Sequence, residues 1–98
     1  MQARLTTIQV RPDQVDEAVR LWQDSVLPAA QRQPGFRGAM MLSDRATGKN
    51  IVIGLWGTEA DLSASGEGSD YLREQLAKFV RQLGVSPIVE NYEVSAQG

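Results

Sequence analysis

The chain has 98 residues, 42% hydrophobic and 22% charged, a size and balance that fit one compact domain over residues 1–98. Its net charge of −2 and pI near 5.0 exclude the broad positive field with which phosphate-tracking proteins hold nucleic acid. It has neither cysteine nor histidine, so disulfides, thiolate ligands, thiol nucleophiles and the commonest general base and metal ligand are all absent, and no cofactor or metal is expected.

Met1 to Val10 mixes charged and polar residues without the apolar run of a signal peptide, and no stretch approaches the ~18 apolar residues that span a bilayer. A cytoplasmic location with no membrane partner is expected. Ala3 to Val10 is rich in β-branched residues, ends at Arg11-Pro12-Asp13, and reads as the first strand. From Pro12 the period changes: Val15, Ala18, Val19, Trp22, Val26 and Ala30 fall on one face of a helix of roughly five turns. Pro28 lies inside this pattern and should kink the helix or end it early. Acidic Asp13, Asp16 and Glu17 sit at the first turn, where the helix dipole accounts for them without a metal.

Gln33-Pro34-Gly35 breaks the helix, and Phe36 to Ser43 reads as the second strand. Asp44 to Asn50 is then a hairpin loop, with Gly48 free to take a positive φ, and Ile51 to Gly57 is the third strand. Thr58 and Asp61 have capping spacing for a short helix over Glu59 to Ala64. Ser65 to Asp70 follows as a glycine-bearing loop. Ser69 can cap the next helix, whose stripe of Leu72, Leu76, Phe79, Val80 and Leu83 ends at Gly84. Ile88 to Val94 is the fourth strand, and Ser95 to Gly98 should fray. The order β-α-β-β-α-β is the ferredoxin-like motif, an α+β class with an antiparallel sheet and both long helices on one face.

The third strand is apolar on both sides, Ile51, Ile53 and Leu55 on one and Val52, Gly54 and Trp56 on the other. Met40 and Leu42 lie opposite Ala39 and Met41 in the second strand in the same way. Helices cover only one sheet face, so the other would expose more contiguous apolar surface than monomers tolerate. A homodimer burying that face about a twofold axis is expected.

Pro34-Gly35-Phe36, the hairpin around Thr47-Gly48-Lys49, and Ile51 to Trp56 running into Thr58-Glu59-Ala60-Asp61-Leu62 resemble the antibiotic biosynthesis monooxygenase family over nearly the whole chain. The resemblance implies a dimeric α+β barrel. It also implies one of several activities: cofactor-free oxygenation of phenolic or quinol-type polycycles, haem degradation, or no known activity. Active members often carry a histidine where Ser65 stands, nine residues after Trp56, and haem degraders an asparagine in the first strand, around Leu5. Without an axial histidine haem lacks its usual anchor in this fold, so haem degradation is not expected.

Six residues are candidates for contact with a small molecule. Trp56, beside Gly54, leaves room for a flat ligand to stack, and packs against the first helix if purely structural. Trp22 shares the stripe of Val15, Val19 and Val26 and can serve core or pocket. Tyr71 follows the Ser65 to Asp70 loop, a possible lid, and its phenol can bond a ligand oxygen. Tyr92 and Asn91 alternate in the fourth strand, so one faces the helices and the other the dimer. Arg37, early in the second strand, could hold an enolate or phenolate charge or simply be a solvated edge residue. The serines have no histidine to activate them, and Gly66-Glu67-Gly68 lacks the strand and helix of a dinucleotide fingerprint. Two functions remain: a cofactor-independent oxygenase, or a non-catalytic barrel that binds a small apolar ligand or has a stress-related accessory role. A cavity lined only by aliphatic residues favours the second, and convergent polar groups favour the first.

Overall fold

The computed structural model describes residues 1–98 and contains one antiparallel sheet of four strands, β1 (Gln2–Gln9), β2 (Phe36–Asp44), β3 (Lys49–Trp56) and β4 (Ile88–Glu93), in the order β2-β3-β1-β4. The helices α1 (Val15–Leu21), α2 (Leu27–Gln31), α3 (Glu59–Ala64) and α4 (Asp70–Leu83) complete the ferredoxin-like α+β arrangement. None is long and apolar enough to cross a membrane.

Strand alternation divides the sheet into two faces. In the β1–β3 ladder Arg4 lies opposite Gly54, Thr6 opposite Val52 and Ile8 opposite Asn50, and these positions look toward the helices. The intervening pairs, Leu5 with Ile53 and Thr7 with Ile51, look the other way. Ile8, Val10, Val15, Ala18, Leu21, Trp22, Val26, Phe79 and Leu83 form the core between sheet and helices.

Pro28 neither ends the first helical run nor breaks it. A 3-10 turn at Pro12–Gln14 leads into α1, and Trp22–Val26 widens into a π turn before α2. The Leu27 N–H donates to the Trp22 carbonyl, five residues back. Widening by one residue relieves the clash a proline ring makes with the carbonyl four residues earlier, so the run continues to Gln31. The two expected caps form: Thr58 Oγ1 accepts from the Asp61 N–H at 3.1 Å and Ser69 Oγ from the Leu72 N–H at 3.1 Å. Gly84 ends α4 with φ of 68°.

The β2–β3 hairpin is tighter than its sequence suggests, because Asp44, Lys49 and Asn50 belong to strands rather than to the loop. Asp44 Oδ1 accepts from the Ala46 and Thr47 N–H groups, which closes the turn in four residues. Asn50 is fully buried and its amide is satisfied: Nδ2 donates to the Gly48 carbonyl at 3.1 Å and Oδ1 accepts from Ser43 Oγ at 2.6 Å.

Gly48 has φ of 80° and lies against β1, its carbonyl accepting from the Val10 N–H at 3.0 Å. A Cβ there would run into the Val10 carbonyl, whereas one at Gly68, with φ of 84°, meets nothing. Gly68→Ala should cost only the ~1–2 kcal/mol of left-handed backbone strain. Gly48→Ala should cost clearly more, and urea unfolding of the two variants side by side measures the difference. Equal losses would mean that the hairpin is not seated against β1.

Candidate functional site

The core does not fill the whole space under the helices. Toward the Arg4–Gly54–Trp56 end of the sheet a cavity remains, floored by Arg4, Thr6, Val52, Gly54 and Trp56 and roofed by Trp22, Val26, Gln75, Leu76 and Phe79. Phe36, Ala39, Tyr71 and Leu72 contribute at its sides. It offers about 60 Å³ to the centres of water molecules. That is a small slot, with room for only a few waters. Gly54 helps to keep it open, since a Cβ built there points toward the Trp56 indole nitrogen at 3.7 Å.

Arg4 is the least expected occupant of this wall. It is 5% exposed, and its η nitrogens donate to the Leu62 carbonyl at 2.7 Å and to Ser65 Oγ at 3.3 Å. Those acceptors lie at the C-terminal end of α3, where the helix dipole is negative. The guanidinium carbon stands 5.3 Å from the centre of the Trp56 ring, a cation–π contact. No carboxylate pairs with it: all four ion pairs lie elsewhere, on exposed side chains. Arg4 Nε and Trp56 Nε1 are both buried without a hydrogen-bond partner. Burial lowers the Arg4 pKa from its usual value, opposed by the nearby Tyr71 phenol.

Trp56 is 2% exposed and sits edge-on to Phe36, with ring centres 5.5 Å apart, and to Tyr71, at 6.4 Å. It is thus a fully buried residue that lines the cavity, while Trp22 lines the cavity and belongs to the core cluster as well. Burial raises the Tyr71 pKa above 10.0 while Arg4 pulls it down. Gln75, also buried, accepts from Lys78 Nζ at 2.8 Å. The acidic group at the first helical turn does not converge: Asp13 pairs with Arg11 and Asp16 with Arg45.

Of the six residues singled out by sequence, Trp22, Trp56 and Tyr71 come together around the cavity, and Arg37, Asn91 and Tyr92 do not. Arg37 is the extra residue of a β-bulge between Phe36 and Gly38, which turns it out to solvent. Tyr92 lies on the open sheet face, bonded to Glu90. Asn91 is exposed in an edge strand opposite Arg4. Sequence reading missed Arg4, Ser65 as its acceptor, Thr6, Phe36 and Gln75. The available signal was parity: Arg4 falls in phase with Thr6, Ile8 and Val10, the side that strand alternation turns to the helices.

No protein-family model matches the chain. It is 34% identical over 94 residues to the uncharacterized protein Rv2557 of Mycobacterium tuberculosis, a match covering 96% of this chain and 41% of that protein. The chain therefore spans about two fifths of the length of this curated relative. Among solved structures it is similar to the monooxygenase from ActVA-Orf6 of Streptomyces coelicolor in complex with nanaomycin D, with a TM-score of 0.76 and 17% identity over 98% of this chain and 88% of that one. SnoaB, a cofactor-independent oxygenase from Streptomyces nogalater, superposes with a TM-score of 0.71 and 15% identity over 98% and 94% of the two chains. A further antibiotic biosynthesis monooxygenase gives 0.70 and 12% identity, covering 98% of this chain and 100% of the other. The fold is that of the antibiotic biosynthesis monooxygenases.

The Arg4–Tyr71 proximity has a titration consequence. Tyr71 ionises above its unfolded value of 10.0, so its contribution to stability is whole below that pH and is lost as pH rises through the folded-state pKa. Tyr92 is raised as well, by its bond to Glu90, so Tyr92→Phe isolates the Tyr71 phenolate absorbance. On that background Arg4→Met should move the Tyr71 midpoint higher still. An unchanged or lower midpoint would show that the cation does not act on the phenol.

Proposed function

We propose that this chain, built on the fold of the antibiotic biosynthesis monooxygenases, is a cofactor-independent oxygenase for a small phenolic or quinol-type aromatic, working as a homodimer. The cavity carries the reading. Its lining is mainly aromatic and aliphatic, yet Arg4, Thr6, Tyr71 and Gln75 reach it from both walls, which favours oriented chemistry over passive storage of an apolar molecule.

The reaction needs no group the chain lacks. An electron-rich ring, once deprotonated, can deliver electrons to O₂ directly. One oxygen atom then replaces a ring hydrogen as a quinone carbonyl, the other leaves as water, and all the electrons come from the substrate. The protein's share is to hold the ring, exclude bulk water and favour the anion. Trp56 and Trp22 supply the flat apolar walls, and the Tyr71 phenol, kept neutral by burial, is a hydrogen-bond donor at the side.

The dimer accounts for the other sheet face. Leu5, Ile51, Ile53 and Leu55 form its middle, flanked by Met40, Leu42, Ile88 and Tyr92. Ile88 is 63% exposed and Met40 54% in the single chain, an apolar surface that a second copy would remove from water. Sedimentation equilibrium at micromolar concentration should return twice the chain mass, and Ile53→Glu, placing a charge in the middle of the face, should return the monomer. A monomeric wild type removes this part of the proposal.

Oxygen uptake against a panel of naphthols, quinols and phenolic polycycles tests the activity. Gly54→Ala should fold at least as well as wild type, because its Cβ makes only an ordinary contact, but should cut uptake by filling the slot. Trp56→Phe should weaken a stacked ligand by about 1 kcal/mol. Ligand binding with no uptake across the panel would leave a binding protein and sink the oxygenase.

A further inference from the structure

The corner of the cavity under α3 holds a positive charge with nothing to balance it. Arginine does not shed its proton at physiological pH, so burying it without a carboxylate leaves a full cation facing low-dielectric surroundings. The C-terminal end of α3 and the Trp56 ring offset part of that cost with partial charges only. Two N–H donors, Arg4 Nε and Trp56 Nε1, remain unpartnered on side chains that touch each other and line the same cavity. Buried donors in native proteins are normally paired, and the exceptions mark strain or a missing ligand. The η nitrogens of Arg4 are engaged by the Leu62 carbonyl and the Ser65 hydroxyl, while Nε has no acceptor from the chain although the side chain lines the cavity.

We infer that Arg4 is a binding residue for an anionic oxygen on a flat aromatic ligand, so that the ligand is held as a phenolate, an enolate or a ring carboxylate rather than as the neutral molecule. This rests on the cavity being the ligand site. It also supplies what the oxygenase reading lacks, since no carboxylate or histidine lines the cavity to take the substrate's proton. A cation at the wall favours ionisation of the ring hydroxyl itself and leaves the proton to solvent.

Calorimetric titration with matched probes tests the assignment without requiring turnover. 2-Hydroxy-1,4-naphthoquinone, ionised at neutral pH, is compared with its neutral 2-methoxy analogue, and 1-naphthoate with 1-naphthamide. Wild type should prefer the anion of at least one pair by about ten- to a hundredfold, the scale of a charge-assisted hydrogen bond. Preference in the first pair alone identifies an ionised ring hydroxyl as the recognised group, and in the second alone a carboxylate. Arg4→Met should bind the neutral probes as wild type does and lose the preference, with Arg4→Lys between them. An Arg4 that merely staples β1 to α3 would lower the melting temperature on substitution and leave wild type indifferent to ligand charge. Equal wild-type affinity within both pairs, or no binding of either anion, overturns the inference, and this comparison stands even where a variant fails to fold. Anion preference without oxygen uptake would sink the oxygenase and keep the Arg4 site.

Discussion

The helix-facing side of the sheet depends on one pairing, Arg4 opposite Gly54 in the β1–β3 ladder. Arginine is among the longest side chains and glycine has none, so the cross-strand pair cannot fill its layer evenly. The guanidinium reaches away to the end of α3, and the space above Gly54 stays empty. Two steps along the same strands the pairing is Ile8 with Asn50, both fully buried, and there the interior is packed solid. One sheet face thus carries a core at one end and a cavity at the other. Trp22, Val26 and Phe79 belong to both, so packing that holds the fold also sets the shape of the slot.

The π turn fits the same economy. A straight α-helix through Pro28 would clash, and widening at Trp22–Val26 removes the clash without ending the run. The widened turn contains Trp22 and Val26, two of the residues that roof the cavity. Single π turns inside α-helices recur at functional sites, because an inserted residue re-aims the side chains that follow. Here the proline dictates the distortion and the cavity inherits its geometry.

Periodicity made the fold legible, together with the side to which each strand residue turns. Alternation in β3 put Trp56 toward the helices and Ile53 away, and both assignments agree with the ladder. Volume was not legible. A period states which face a residue occupies but not whether the layer closes over it, so Trp56 and Trp22 could not be assigned to core or pocket; Trp22 serves both, and Trp56 lines the cavity from a buried position beside the core cluster. Arg37 was drawn in by its charge near a strand start, but a bulge, invisible to alternation, turned it outward. Arg4 escaped notice for the opposite reason. A lone charge in a β-branched strand reads as solvated unless its parity is weighed, and its acceptors lie 58 and 61 residues away in sequence.

Ser65 shows how the site and its rim are joined. The segment from Ser65 to Asp70 reads as a loop free to lift, yet Ser65 is 3% exposed and Gly66 is buried. The Ser65 hydroxyl accepts from Arg4, and Gly66 packs so close to the guanidinium that a Cβ would come within 3.2 Å of it. Freedom therefore begins only at Glu67, where the chain turns outward through Gly68 toward the Ser69 cap of α4. Tyr71, two residues past the cap, already lies in the first turn of α4 and packs edge-on to Trp56, so the helix fixes it as firmly as α3 fixes Arg4. The two polar groups at this end of the slot are therefore held from two different helices, one on either side of the exposed Glu67–Gly68 turn.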